Sequence, residues 1–329
     1  MGHLDLCESH LSCLNLRFVD DENLILMFIQ CEEDGNSGFV FEVDPQGVYG
    51  STSVHPTYRF GRETCMGEGG GNFESAAFDD RGLDPDACSN DVSKCKVDFF
   101  VTHDDDYGEV RKYTPKPSVV QNGYKTGNFL SILEKPSLYS DCGGKREGEM
   151  LYLQITSGSG GTNGSFTWTN SKSKGQQSAF DNYPYNEGID VKNGRLYLVS
   201  KTIKCLFIFD LDQKTWQRSS TQQGVFTDQP DQIKFITGET ESLLYFTEDG
   251  GSTCGIHARN RLGQYVTILE SNGSFYNTET TGLAFSPDKK HLYFAFQGRG
   301  DVWDVTRDDG LPFDGDFLDI KYHNSPDSR

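Results

Sequence analysis

Apolar residues in this chain come in short runs that alternate with polar ones, and the runs are cut by Gly, Asp, Asn and Pro before any helical stripe develops. Residues 275–309 read FYNTETTGLAFSPDKKHLYFAFQGRGDVWDVTRDD. They hold a carboxylate (Glu279), a β run over 282–285, a Ser-Pro-Asp turn, a second run over 291–297, a Gly-rich turn and a third run over 301–306. Runs of this length and composition predict an antiparallel meander. One meander leaves a face unburied and requires neighbours of its own kind.

Those neighbours are in the sequence. Residues 186–212 begin at Glu187, residues 229–269 at Asp231 and residues 73–115 at Glu74, each followed by the same three beats. Glu187 and Asp231 are 44 residues apart, and Asp231 and Glu279 are 48 apart. That period belongs to four-stranded propeller blades. A hairpin over 24–47 supplies another unit, and the 113 residues between Glu74 and Glu187 leave room for one more, near 146–180. The expected fold is therefore all-β, a six-bladed β-propeller, with five or seven blades also compatible. The ring would be closed by the N-terminal segment or by residues 317–322, and residues 1–329 would form one domain.

Composition narrows the partners. Thirty Lys and Arg stand against 49 Asp and Glu, a formal charge of -19, which repels phosphate backbones and anionic lipid surfaces. Nucleic acid is thereby excluded as an expected partner, and no run of eighteen apolar residues offers a transmembrane segment. The nine cysteines include no CxxC pair, so no zinc site is announced. Cys88 and Cys95 bracket a polar excursion and are candidates for a bridge, as are Cys7 and Cys13. With two Asn-Gly-Ser triplets, at Asn163 and Asn272, the cysteines point towards an extracytoplasmic location (secreted, periplasmic or organelle lumen). No basic segment followed by an apolar one stands at the N-terminus.

In a propeller, residues just ahead of the inner strands cluster at one mouth of the channel. Glu74, Glu187, Asp231 and Glu279 are expected to converge there, and carboxylates forced together need cations. Calcium, bound by six to eight oxygens, fits such a set. A second ring is expected from the ends of the middle strands: Cys31-Glu32-Glu33, Thr102-His103-Asp104, Ser200-Lys201, Thr247-Glu248-Asp249 and Gln297. A Cys31 thiolate would suit a softer metal such as iron.

Five segments in order resemble the PhoX-type alkaline phosphatase family. FIQCEEDGNSGFVFEVDPQG resembles its Cys-Glu-Glu strand end and Val-Asp-Pro closure, and FESAAFDD with FFVTHDD its His-Glu-Ala-Ala and Thr-Glu-Asp strands. NEGIDVKNGRLYLVSK is similar to its Glu-Gly strand and Thr-Lys end, and QPDQIKF with YFTEDGG to its Pro-Asp-Asn and Cys-Glu-Asp-Gly-Gly. ETTGLAFSPDKKHLYFAFQGRG is similar to its Phe-Ser-Pro-Asp-Gly segment. The resemblance implies a propeller phosphatase with iron and calcium in the channel mouth. Cys31 would ligate iron, Glu74, Glu187 and Glu279 would serve as carboxylate ligands, and Glu32, Asp231, Glu248 and Asp249 would lie in the same shell. Lys201, Arg59, Arg62 and Arg299 would contact the phosphate ester. This chain departs from the family at Phe73 (His there), His103 (Glu), Ala295 (Asn) and Thr202-Ile203-Lys204 (Gly-Asp). Two alternatives follow from those losses: a non-catalytic, metal-stapled propeller serving a larger assembly, and a calcium-dependent lactonase or esterase.

Overall fold

The computed structural model describes residues 14–15, 28–31, 38–43, 61–126, 148–236, 243–250, 253–271, 279–313 and 318. The first blade is the antiparallel sheet β1 (Leu14–Asn15), β2 (Phe28–Cys31), β3 (Val40–Val43) and β4 (Gly61–Glu63). The hairpin read over 24–47 is its β2–β3 pair. The second comprises β5 (Phe73–Asp79), β6 (Asp98–His103), β7 (Arg111–Pro115) and β8 (Gly148–Ser157), interrupted by helices α1 (Pro85–Cys88) and α2 (Pro117–Thr126). Then come β9 (Asn163–Thr169), α3 (Lys172–Asn182) and the third blade, β10 (Asn186–Lys192), β11 (Arg195–Ser200), β12 (Cys205–Asp210) and β13 (Thr215–Ser220). The fourth is β14 (Gln229–Phe235), β15 (Leu244–Asp249), β16 (Gly255–Arg259) and β17 (Tyr265–Glu270), and the fifth is β18 (Thr280–Phe285), β19 (His291–Phe296) and β20 (Asp301–Thr306).

The inner strands lie side by side, β5 against β10, β10 against β14 and β14 against β18, while β1 and β2 approach β5. This radial order of antiparallel sheets is a propeller. The described residues form five blades. The unit expected near 146–180 is not one of them: β8 pairs with β7 as the outer strand of the second blade, and β9 pairs with both β8 and β13. Strand β9 thus welds two blades into one nine-stranded sheet and covers two edges that would otherwise face water. The closing strand expected over 317–322 falls outside the described residues except for Leu318, which packs on the core between the last two blades.

Apolar side chains fill the seams between blades. Phe100, Leu153, Ile189, Leu198 and Phe207 join the second blade to the third, Val199, Phe226, Ile233 and Phe246 the third to the fourth, and Tyr245, Ile256, Leu292 and Phe294 the fourth to the fifth. Helix α3 lies on β8 with Gly175, Ser178, Ala179 and Asn182 buried, a helical spacing built from small residues. A Cβ at Gly175 would sit 2.6 Å from Tyr152 Cβ, so glycine is what allows the close approach. The polar excursion after β5 is closed by a Cys88–Cys95 disulfide, one of the two bridges that the spacing suggested. Cys7 and Cys13 lie outside the described residues.

Asn186, fully buried, joins the second and third blades at the channel. Its Oδ1 accepts from the His103 amide (3.1 Å), and its Nδ2 donates to the Gly108 carbonyl (2.6 Å). Asn186→Ala orphans one buried and one half-buried backbone group and is expected to lower stability by about 2–4 kcal/mol in urea unfolding. A loss within error would show that the blades are not pinned here.

Candidate metal centre

Four inner strands carry the same irregularity. Opposite the second strand of its blade, the register slips between Phe73 and Ala76, between Asn186 and Ile189, between Pro230 and Ile233, and between Thr281 and Ala284. Each slip is a β-bulge, which bends the strand and re-aims the side chains beside it. The residue just after the slip begins is Glu74, Glu187, Asp231 and, in the fifth blade, Gly282. Threonines hold the loosened backbone: Thr102 Oγ1 accepts from the Ser75 amide (2.8 Å), and Thr247 Oγ1 from the Gln232 amide (2.7 Å).

The bulges bring Glu74, Glu187 and Asp231 together. All three are buried, and one carboxylate oxygen from each lies within 4.8 Å of the others. Gly188 makes this possible between the third and fourth blades: a Cβ there would be 2.5 Å from Ile233 N and 2.6 Å from Asp231 O. Gln232 Nε2 donates to Glu74 Oε1 (2.5 Å) and to Asp231 Oδ1 (3.3 Å), and Thr247 Oγ1 donates to Asp231 Oδ2 (3.1 Å). Lys201 Nζ reaches Glu187 Oε1 (2.5 Å) and Asp104 Oδ2 (2.7 Å). Asp104 Oδ1 is buried without a hydrogen-bond partner among the described residues.

The cluster is short of positive charge. Burial, reinforced by repulsion from Asp104 and Asp231, pushes Glu187 well above the carboxylate range despite Lys201. Burial likewise pushes Asp231 up to about 7, with repulsion from Asp249, while the Thr281 and Thr247 hydroxyls oppose the shift. Asp249 is raised by burial and by Asp104 and Asp228, against the pull of Lys201. Burial disfavours the Lys201 ammonium, but Glu187 and Asp104 outweigh it and hold the lysine protonated. Lys201 is accordingly a fixed cation and not a proton acceptor.

Oxygens sharing a calcium at 2.3–2.6 Å lie no more than about 5 Å apart, and an all-carboxylate set suits a hard cation. The triad meets both conditions.

The other expected site residues divide. Glu248 is buried, but its oxygens are occupied: Oε1 accepts from the Thr227 and Asp228 amides (3.1 and 2.8 Å), and Oε2 faces His257 Nε2 (3.0 Å). It anchors the loop that presents Asp228 and does not join the triad. Glu279 lies three residues ahead of the bulge position, half-buried, with its carboxylate facing the Gln297 amide. Arg299, on the turn after β19, donates to Asp301 (2.9 Å) and is exposed. Cys31 ends β2 and Arg62 lies in β4 of the first blade, where nothing of their side chains is described, and Glu32 and Arg59 lie outside the described residues. Asp104 and Asp249 complete the rim. Asp104 follows the second strand of its blade and Asp249 ends the second strand of its own, at the beat that also delivers Lys201, the signal that marks them in the sequence.

No family model matches the chain, and no curated protein matches it in sequence. Solved structures align weakly. A luciferin-regenerating enzyme is 11% identical with a TM-score of 0.42, covering 95% of this chain and 76% of its own. Glutaminyl cyclase of Myxococcus xanthus is 10% identical with a TM-score of 0.39, covering 85% of each chain. Regucalcin of Agrobacterium tumefaciens, a calcium-binding protein, is 13% identical with a TM-score of 0.23, covering 42% of this chain and 58% of its own. Likenesses of this strength carry no chemistry across, and the propeller rests on its strand pairing.

Proposed function

We propose that the chain is a calcium-dependent propeller hydrolase, with one ion held by Glu74, Glu187 and Asp231 in the channel mouth. The convergence of three buried carboxylates within 4.8 Å carries this reading. When bound, the ion supplies Lewis acidity towards an ester oxygen and an acidified water. The protein supplies the rest. Gln232 and Thr247 orient Glu74 and Asp231, and Lys201 offsets the charge of Glu187. In the fifth blade the equivalent bulge position is Gly282, where a Cβ would meet nothing within 4 Å, which leaves that side open to substrate.

Phosphate monoesters are the substrate class that the PhoX-type resemblance implies, and the disulfide fits the extracytoplasmic setting of that reading. Iron depends on Cys31 and remains part of the same proposal. The rim disfavours a bare anion, since Lys201 lies between two carboxylates and Arg299 is turned onto Asp301. Among the described residues, that shortage of free cations favours, as a second reading, a metal-stapled propeller without turnover. Calorimetric titration with calcium beside assays on p-nitrophenyl phosphate, a p-nitrophenyl carboxylate ester and a lactone separates them. Calcium-dependent turnover of the phosphate is expected. Turnover of ester or lactone alone would move the substrate class, calcium binding without turnover would leave the staple, and no calcium binding would refute the site.

Protonation gives a second test. A carboxyl whose folded pKa is raised makes the folded state hold more protons than the unfolded one, so stability falls as pH rises through the window between the two values. For Asp231 that window runs from about 4 to about 7. The calcium-free protein is expected to lose melting temperature over this range, and calcium to restore most at pH 8 and least at pH 5. Melting curves with equal calcium gains at both pH values would contradict it.

Neutralising a ligand should invert the pattern. Glu187→Gln is expected to abolish the calcium-induced stabilisation while raising the stability of the calcium-free protein at pH 8. A variant less stable without calcium, yet still stabilised by it, would show that Glu187 is held by its ion pair alone.

A further inference from the structure

Outside the triad, the lip of the second and third blades combines exposed aromatic rings with uncompensated acid. Asp104, Asp105, Asp106 and Tyr107 follow one another on the loop after β6. Tyr107 stacks on Phe180 of α3 at 4.5 Å between centroids, with planes 8° apart, yet the two stay 46% and 44% exposed. Tyr185 closes the group. Its amide donates to the Asp105 carbonyl (3.0 Å) and its carbonyl accepts from the Lys201 amide (3.0 Å), while the negative charge of Asp106 raises the pKa of its phenol. It holds a φ of 51°, a conformation that L residues adopt only when neighbours impose it. Tyr185 is two residues from Glu187, so the lip begins within about 7 Å of the triad.

Two large rings facing water leave apolar surface that a ligand could cover. The charge beside them selects the ligand. Asp105 and Asp106 are exposed, and neither has an ion-pair partner among the described residues. Anions are repelled, and a neutral ring would gain the aromatic faces but not the carboxylates. A bare ammonium is strongly hydrated, whereas an alkylated one presents apolar surface to the rings and positive charge to the acids.

We propose that Tyr107, Phe180 and Tyr185, with Asp105 and Asp106, form a binding site for a quaternary or alkylated ammonium group, free or as a lipid headgroup. The site requires no ion in the triad.

The test is calorimetric titration of the full chain, with and without calcium, using choline and its neutral isostere 3,3-dimethylbutan-1-ol, alongside sedimentation with phosphatidylcholine vesicles. Choline is expected to bind in both calcium states and at least about fivefold tighter than the isostere. Phe180→Ala and Asp106→Asn are each expected to weaken it about three- to tenfold, with melting temperature and calcium affinity unchanged. Binding to vesicles would identify the headgroup as the source, and binding to choline alone a free molecule. The proposal falls if neither binds, if the isostere binds equally, if both variants match the parent, or if calcium competes choline away. Should choline behave as expected while calcium fails to bind, the metal reading falls and this one stands.

Discussion

The channel mouth depends on one backbone irregularity repeated around the ring. A regular strand sends successive side chains to opposite faces, so a residue at the channel end of a blade would point along the seam between sheets. The bulge inserts a residue, leaves it unpaired and turns its side chain inward. Done three times, this places Glu74, Glu187 and Asp231 on one small volume. Each bulge must then be held open. The Thr102 and Thr247 hydroxyls take up amides freed by the slips, and Gly188 lets the backbone of β14 come close enough for the carboxylates to meet.

Around this centre, acid residues of similar appearance do different work. Glu248 spends its oxygens on two loop amides and on His257, whose other nitrogen meets Thr267 Oγ1 (3.1 Å) while its ring stacks on Phe226. That network fixes the segment leading into β14, and so fixes Asp231 without touching it. Asp104 and Asp249 face the mouth from the ends of second strands and raise the negative potential there. Lys201 crosses from one tier to the other.

The repeat was legible because strand, turn and carboxylate recur at a blade period, and that was enough to mark Glu74, Glu187 and Asp231 as a set. It misplaced the fourth member. Glu279 stands one residue ahead of β18, as a carboxylate should, but β18 starts its bulge at Thr281, and the equivalent position is Gly282. A three-residue offset is invisible to hydrophobic pattern, which records where a strand runs and not where its pairing slips. Helix α3 escaped for a related reason: its buried face is Gly175, Ser178, Ala179 and Asn182, which has helical spacing without hydrophobicity. Strand β9 looked like part of a separate unit because alternation gives no information on which edge a strand joins.

Buried acid alone does not mark a binding site, and this fold contains its own control. Glu109 is as deeply buried as the triad, but Arg111 donates to it twice (2.9 and 2.7 Å) and Lys172 lies 3.4 Å away. Burial works against its charge, yet His103, Arg111 and Lys172 outweigh that and hold its pKa down at about 2. Arg111 also donates to the Met66 and Glu68 carbonyls, tying the second blade to the turn that follows β4. The chain is thus able to bury a carboxylate whose charge is met by two cations, even with one of its oxygens lacking a hydrogen bond among the described residues. At the channel it leaves three with a single lysine between them and raises Glu187 and Asp231 far above their ordinary range. Uncompensated charge of that kind costs stability in every metal-free molecule. It becomes intelligible when the missing positive charge arrives from solution, which is the physical content of a metal site.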